Sequence, residues 1–401
     1  MSDDFFIELP EPAKNTLIKV IGVGGGGGNA VANMLREDMY DVSLLVCNSD
    51  SKALADSPVV DKLQIGPGLG CGGRPEMGKS LAEEHLADIY DAIDPETKMV
   101  FITAGMGGGT GTGAAPVIAR ETKARNILTV GVVTLPFLFE GKRNIDKALD
   151  GMEAMAREVD SLLIVNNERM LSVYATSSVI DGFKMADKVL TLAVKSIVDI
   201  IKMRGVINLD FQDVCMVLRK GGISVISTGY ARGEKRIEAA INNALNSPLL
   251  NNNDIYNAKR LVMCLTFSEA HEALMMDELQ EVNDFIDKFH HKDMESKWGL
   301  ATDASLKDEV KVTILASDFK PLDNDSQESE ADLLIRMARE ERYNKYYKKS
   351  TDPALKRHNT PIYIYDLNDL DNELLIHNVD TFPTAKRTRE QLIKFRAFQN
   401  Q

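Results

Sequence analysis

The stretch Gly105-Met-Gly-Gly-Gly-Thr-Gly-Thr-Gly113 decides the fold of this chain. It follows an apolar run at 99–104 and precedes a helix-forming run at 114–119, so the pattern predicts strand, glycine loop and helix. Glycine fills six of the nine positions, which lets backbone N–H groups approach a phosphate closely, and the following helix adds the positive end of its dipole. Because the loop has no lysine, it is not a Walker A loop, and we predict phosphate binding by backbone groups alone.

Another glycine loop lies earlier in the chain; we call it the first loop and the stretch at 105–113 the second loop. The strand predicted at 17–23 runs into five consecutive glycines, Gly24 to Gly28, and a helix is expected from Asn29 to Arg36. The spacing of Gly22, Gly24 and Gly27 also fits the dinucleotide fingerprint of dehydrogenases, but a dehydrogenase has no use for the loop at 105–113. We therefore expect the two loops to face each other across a parallel sheet and to share a triphosphate.

Composition narrows the class of protein. The 401 residues carry a net charge of −13, which argues against nucleic acid as the main partner. No apolar run reaches the length of a transmembrane helix, and the N-terminus has no signal-peptide pattern. The four cysteines form no CxxC pair and the histidines have no metal-ligand spacing. We therefore predict a cytoplasmic protein with reduced thiols, no metal site and no direct membrane insertion.

The order of apolar runs predicts an α/β fold. Strands at 17–23, 42–47, 99–104, 127–134 and 161–166 alternate with helices, one of them at 76–93, which is typical of a parallel, Rossmann-like sheet. A long helical pattern follows at 179–203, and α+β signals come after it: strands near 222–228, 260–268 and 308–317, and helices near 234–246 and 271–290. The predicted divisions are an N-terminal segment (1–15), a nucleotide-binding domain (16–178), a central helix (179–205), a smaller α+β domain (206–319) and a flexible linker and tail (320–401).

Two residues of the long helix suit a guanine base. Phe183 and Asp187 are one turn apart and share a face. A carboxylate there can accept hydrogen bonds from the N1–H and N2 amino groups of guanine, which adenine lacks, and a phenyl ring can stack on the base. Considered separately, Phe183 could equally well be a core residue, and Asp187 could equally well be a solvated position on the helix.

A short acidic turn follows that helix, Asn208-Leu-Asp-Phe-Gln-Asp213. Asp210 and Asp213 are three residues apart, a spacing that fits a helix N-cap with an acidic first turn. The same carboxylates are candidates for polarising a hydrolytic water, because the chain shows no serine–histidine–aspartate set that would do so.

The motifs together resemble one family. The two glycine loops, Asn48-Ser-Asp50, Phe137-Leu-Phe-Glu-Gly141 and the turn at 208–213 make residues 17–318 similar to the FtsZ family of the tubulin superfamily. The resemblance implies a cell-division GTPase that polymerises head to tail into a cytokinetic ring at mid-cell, with Mg²⁺ carried on GTP or GDP. It also implies nucleotide contacts by a set of residues in the loops, strand ends and central helix: Gly25, Gly26, Gly27, Gly28, Asn29, Asn48, Gly73, Gly107, Gly108, Gly109, Thr110, Gly111, Thr112, Gly113, Glu140, Arg143, Asn144, Asn166, Phe183 and Asp187. Within that set, Gly25 to Asn29 and Gly109 to Gly111 would bind phosphates, Glu140 would reach the ribose, and Phe183 and Asp187 would hold guanine.

The resemblance further implies an active site shared between two subunits. Asn208, Asp210 and Asp213 would enter the nucleotide site of the next subunit, where the carboxylates orient the attacking water. This arrangement is comparable in logic to a catalytic residue that a GTPase-activating protein supplies to a GTPase.

The chain departs from the family pattern at three places. The arginine expected four residues after Glu140 is replaced by Asn144, with Arg143 one position earlier, and Arg74 precedes Pro75 where a small or amide residue is expected. The tail lacks the usual Pro-x-Phe-Leu-Arg ending, so Val379 to Arg387 is the candidate peptide that would bind a membrane anchor such as FtsA and other division proteins.

Two alternative functions stay open: a nicotinamide-dependent oxidoreductase and a GTP-binding filament scaffold that does not hydrolyse GTP.

Overall fold

The computed structural model describes residues 16–37, 39, 42–169, 179–203, 205–247, 255–269, 273–289, 294–319 and 342. The predictions for the N-terminal segment 1–15 and for the candidate anchor peptide Val379 to Arg387 lie outside these residues.

The N-terminal part is built on parallel strands. They are β1 (Ile18–Val23), β2 (Ser43–Asn48), β3 (Asp61–Gln64), β4 (Met99–Gly105), β5 (Leu128–Leu135) and β6 (Ser161–Asn166). Their order is β3-β2-β1-β4-β5-β6, and every neighbouring pair is parallel. Strands β1, β5 and β6 are buried along their whole length, as expected for a sheet with helices on both faces. The predicted parallel sheet is confirmed.

The helices of this part are α1 (Gly24–Arg36), α2 (Ser51–Ala55), α3 (Pro75–Glu84), α4 (Leu86–Asp91), α5 (Thr110–Ala124) and α6 (Lys142–Glu158). Two predictions were wrong in detail. Helix α1 begins at Gly24 rather than at Asn29, so the first glycine loop is itself the first turn of a helix. The single helix expected at 76–93 is two helices, because the backbone leaves the helical conformation at His85 (φ −111°, ψ 27°). The imidazole of His85 bonds the Leu81 carbonyl through Nδ1 and accepts from the Gly66 N–H through Nε2.

The C-terminal part extends the same sheet. Its elements are α7 (Val179–Lys202), β7 (Gly205–Ile207), α8 (Phe211–Leu218), β8 (Gly222–Arg232), α9 (Arg236–Leu245), β9 (Ala258–Phe267), α10 (Leu279–Ile286), β10 (Glu295–Thr302) and β11 (Glu309–Phe319). Beyond β6 the strand order continues β8-β11-β9-β10-β7, and β11 is antiparallel to both of its neighbours. The sequence did not predict β7 or β10, and the helix expected at 271–290 begins only at Leu279.

Helix α7 lies between the two parts of the fold. Its apolar positions pack into the core that also contains β1, β4 and α8, and Val194 and Ile197 have no exposed surface. A second core lies between α9, α10 and the antiparallel strands. The periodicity of the long helix therefore predicted its buried face correctly, whereas the domain boundaries drawn from sequence stay a prediction.

Candidate nucleotide site

The two glycine loops meet at the carboxyl end of the parallel sheet. Strand β1 lies between β2 and β4. The chain therefore adds β2 and β3 on one side of β1 and then crosses to the other side to form β4. Such a switch point opens a crevice at the ends of the two central strands. A Cβ built on Gly24 would lie 2.8 Å from the nitrogen of Gly111, and one on Gly26 would lie 3.2 Å from the Cα of Gly105. We call the space between 24–28 and 105–109 the crevice.

The crevice receives the N-termini of two helices. Helix α1 begins at Gly24 and α5 begins at Thr110, each directly after its strand or loop. A helix N-terminus presents unpaired N–H groups and the positive end of the helix dipole, so the two together favour a polyanion. Neither loop contains lysine or arginine. Within these two loops the groups that can attract a polyanion are therefore backbone groups; phosphate binding by them stays a prediction.

Packing explains some of the glycines. A Cβ on Gly27 would lie 2.2 Å from the Thr103 carbonyl oxygen, and one on Gly113 would lie 2.0 Å from the Pro75 carbonyl oxygen. Gly107 has a φ of +105°, which favours glycine. These positions need glycine for the fold alone.

Packing does not explain Gly25, Gly28 and Gly108. A Cβ on Gly25, Gly28 or Gly108 would meet nothing within 4 Å, and Gly25 and Gly108 are exposed. None of the three has the positive φ that would favour glycine. These three residues border open space at the crevice, where the absence of a side chain lets a ligand approach the backbone.

The hydroxyl groups of the two threonines in the second loop already form hydrogen bonds within the protein. The Thr112 hydroxyl is buried and accepts from the Gly107 N–H at 2.9 Å. The Thr110 hydroxyl lies 2.7 Å from the Ser49 hydroxyl and near the Cys71 sulfur. These bonds hold the loop in shape and tie it to the end of β2.

The loop at 66–74 supports the second loop from outside. A Cβ on Gly109 would lie 2.6 Å from the Cβ of Cys71, so the two segments touch. Gly73 has a φ of +68°, and its carbonyl accepts a hydrogen bond from Lys147 of α6. The loop at 66–74 therefore packs directly against Gly109 of the second loop.

Asn48 and Asn166 lie at the ends of β2 and β6. Both are buried, and each side-chain oxygen accepts from the backbone N–H two residues later. Asn29, on the second turn of α1, is exposed.

The segment after β5 lies beside the crevice. Glu140 accepts from the Phe137 N–H at 2.9 Å, and Asn144 donates to the Glu140 carbonyl. The carbonyl oxygen of Asn144 lies 3.0 Å from a Cβ built on Gly107, whereas Arg143 is exposed. The backbone of Asn144 therefore faces the second loop.

Helix α7 brings a carboxylate to the level of the crevice. Thr191 lies opposite Ala30 of α1 (3.4 Å), and Lys195 lies 4.0 Å from Glu37 at the end of α1. Helix α1 leaves the carboxyl end of β1, and α7 comes after the carboxyl end of β6 and before β8, which is parallel to β6. Both helices therefore run away from the carboxyl ends of these strands, and Asp187, one turn before Thr191, lies on the crevice side of the contact with Ala30. Burial raises the pKa of the Asp187 carboxyl to about 6. Phe183 lies on the same helix, and its side chain is outside the described residues.

The acidic turn at 208–213 forms the predicted N-cap. Asp213 N–H donates to Asp210 Oδ1 at 2.9 Å, and Asp210 N–H donates to Asp213 Oδ2 at 3.0 Å. Asn208 accepts from the Gly205 N–H at 2.8 Å. The ammonium of Lys297, on β10, lies 3.4 Å from Asp213 Oδ1. Sequence reasoning missed Lys297, because it is far away in the chain and the strand that carries it was not predicted.

Within the described part of the chain, no helix is long and apolar enough to cross a membrane. The same residues contain no group of three or more histidine, cysteine, aspartate and glutamate side chains placed to hold a metal ion.

A crevice between two glycine turns, on a parallel sheet with a long helix beside it, defines a nucleotide-binding protein of the tubulin type. Comparison with known proteins agrees. Residues 17–175 match the model of the Tubulin/FtsZ family, GTPase domain, residues 222–320 match that of the FtsZ family, C-terminal domain, and residues 356–401 match that of FtsZ, C-terminal. The chain belongs to the FtsZ family, and it is a GTPase that binds guanine nucleotide and polymerises in cell division.

Individual relatives cover most of the chain. The cell division protein FtsZ of Porphyromonas gingivalis is 45% identical over 393 residues, which are 93% of this chain and 85% of that protein. FtsZ of Aquifex aeolicus is 41% identical over 317 residues, 78% of this chain and 84% of that protein. A solved structure described as an empty FtsZ dimer from M. jannaschii superposes with a TM-score of 0.69 at 34% identity, covering 79% of this chain and 95% of that one.

Proposed function

We propose that GTP binds in the crevice and is hydrolysed only when the acidic turn of a second copy closes over it. In this proposal the open glycines Gly25, Gly28 and Gly108 admit the phosphates to the backbone N–H groups of α1 and α5. Asp187 accepts from the N1–H and N2 groups of guanine, and the segment that contains Glu140 and Asn144 borders the ribose.

The observation that carries the two-copy site is the position of the acidic turn. Helix α7 has 24 residues and is about 36 Å long. Asp187 lies in the crevice-side half of this helix, and Asp210 and Asp213 follow its other end. Their strand neighbour β10 is six strand positions from β4, or about 29 Å at the usual strand spacing. The carboxylates of one subunit therefore cannot reach the nucleotide of the same subunit.

Exposed apolar side chains support head-to-tail contact between the surface around the crevice and the surface around the acidic turn. Leu69 and Phe139, in the loops around the crevice, are 86% and 60% exposed. Val206 and Ile207, directly before the acidic turn, are also exposed. Large exposed apolar residues beside a functional site commonly mark surfaces that bind another protein. When the two surfaces meet, Asp210 and Asp213 would orient the attacking water, with Asn208 holding the turn in place.

We propose that Mg²⁺ enters with the triphosphate. The donors in the crevice are backbone N–H groups and hydroxyls, which complement phosphate oxygens, and Mg²⁺ is commonly held by phosphates and water. When bound, the ion would offset negative charge on the phosphates. The remaining proposals follow the family: a ring at mid-cell in the cytoplasm, a membrane anchor such as FtsA bound through Val379 to Arg387, and the division of the chain at 16–178, 179–205, 206–319 and 320–401.

The test is Asp213→Asn, because asparagine keeps the side-chain oxygen that accepts from Asp210. We expect GTP affinity to stay unchanged while hydrolysis falls about 100-fold or more, the size expected for loss of a group that handles the proton of the water. The control is Asp303→Asn, which alters another helix-capping aspartate, one that accepts from the Ser305 N–H. Unchanged hydrolysis in Asp213→Asn removes this residue from the mechanism.

A further inference from the structure

Strand β10 lies beneath the acidic turn and shapes it. Its residues alternate between two faces, so Lys297 and Gly299 point to the same side. A Cβ on Gly299 would lie 2.5 Å from Leu209 Cγ and 3.1 Å from the Ile207 carbonyl oxygen. Glycine is therefore needed where the turn crosses the strand, and two residues earlier the same face presents the ammonium of Lys297 to Asp213.

The Asp213 carboxylate is held at both oxygens. Oδ2 accepts from the Asp210 N–H at 3.0 Å, and Oδ1 lies 3.4 Å from the Lys297 ammonium. Each carboxylate oxygen can accept more than one hydrogen bond, so both can still accept from a water molecule. Of the polar contacts that the described residues make to this carboxylate, the bond to Oδ2 alone would remain without the ammonium.

We propose that Lys297 is a positioning residue for GTP hydrolysis: it fixes the Asp213 carboxylate in the orientation in which the acidic turn meets the nucleotide of the next subunit. The inference rests on the proposed function of Asp213. Lys297 acts through that aspartate rather than on the nucleotide, so its loss alters the rate of hydrolysis and leaves GTP binding unchanged.

The fold does not need this ion pair. The side chain of Lys297 is 60% exposed, and an ion pair with one partner in solvent contributes little to stability. A variant that lacks the ammonium is therefore expected to fold and to melt like the wild type, which separates a positioning role from a structural one.

The experiment measures Lys297→Met, Lys297→Arg, Asp213→Asn and the Lys297→Met/Asp213→Asn double variant in the full chain. Turnover is normalised to polymer by sedimentation, and GTP affinity and melting temperature are measured alongside. We expect Lys297→Met to lower kcat by about 3- to 10-fold with unchanged GTP affinity and melting temperature, and Lys297→Arg to restore most of the rate. In the Asp213→Asn background, Lys297→Met is expected to cause no further change in kcat.

The matched control is Lys259→Met, on the neighbouring strand β9. It removes an ion pair with Asp318 that is also exposed (3.8 Å) and is expected to leave kcat unchanged. A wild-type rate in Lys297→Met, beside an impaired Asp213→Asn, overturns the inference while the proposed function stands. An equal drop in both backgrounds also overturns it, because Lys297 would then act independently of Asp213. Wild-type hydrolysis in Asp213→Asn overturns both the proposed function and this inference.

Discussion

Three glycine-to-alanine substitutions separate the glycines that we propose bind nucleotide from those that the fold requires. Gly25 and Gly27 lie in the first turns of the same helix, α1. Alanine favours a helix over glycine by about 0.5–1 kcal/mol, so both substitutions bring the same local gain. At Gly25 the new methyl group meets nothing, whereas at Gly27 it would lie 2.2 Å from the Thr103 carbonyl oxygen.

The two variants are therefore expected to change the free energy of unfolding in opposite directions. Gly25→Ala raises the free energy of unfolding by up to about 1 kcal/mol. It weakens GTP binding, because the methyl group stands where a phosphate oxygen must approach the backbone. Loss of one hydrogen bond to a charged group costs about 1.5–3 kcal/mol, or roughly 10- to 150-fold in affinity. Gly108→Ala, also in open space, is expected to weaken GTP binding without loss of stability. Gly27→Ala lowers stability by about 1–3 kcal/mol through overpacking.

The assay is a GTP titration by calorimetry beside urea unfolding of the nucleotide-free protein. Gly25→Ala that binds GTP like the wild type would show that the open side of the glycine turn is not the phosphate site. Gly27→Ala that is more stable than the wild type would refute the packing argument.

Three further predictions concern the base, a buried ion pair and the tail. We propose that guanine binds to the ionised Asp187 carboxylate, whose pKa burial raises to about 6. Wild-type GTP affinity relative to that of Asp187→Asn should therefore fall about tenfold from pH 7 to pH 5; a pH-independent ratio in parallel titrations would contradict this role. Arg236 is buried and donates to both oxygens of Glu278, and this bonding lowers the pKa of Glu278. Glu278→Gln should therefore cost about 2 kcal/mol of unfolding free energy at pH 7. The difference from wild type should shrink as the pH falls through that lowered pKa, and an equal difference at pH 7 and pH 3 in urea unfolding would count against the pair. Removal of residues 320–401 should leave GTP hydrolysis and sedimentable polymer intact and abolish binding to an anchor protein in pull-down; loss of polymer would place an assembly determinant in the tail.

The sequence predicted the parts of the fold that depend on local patterns. Continuous apolar runs of β1, β4, β5 and β6 predict a buried parallel sheet, and the spacing along α7 predicts its buried face. The glycine runs predict where the turns beside the crevice lie, because strand, loop and helix follow one another directly in the chain.

Other features depend on contacts that no local pattern reveals. Helix α1 begins within five glycines, which have low helix propensity, because close packing of Gly27 against β4 overrides that propensity. Strand β10 opens with polar and charged residues, and Lys297 meets Asp213 across 84 residues of sequence. The structure also shows that the backbone of Asn144 faces the glycine loop. The sequence could not distinguish Asn144 from Arg143 in this respect, because the answer depends on where α6 begins.

We propose that one chain holds only half of the active site. The most direct test is the GTPase rate per subunit, measured across protein concentrations that span the onset of polymer formation by sedimentation. We expect a rate near zero below that onset and a rise above it, because Asp210 and Asp213 must come from a second copy. A rate per subunit that stays constant across this range would show that one copy hydrolyses GTP by itself.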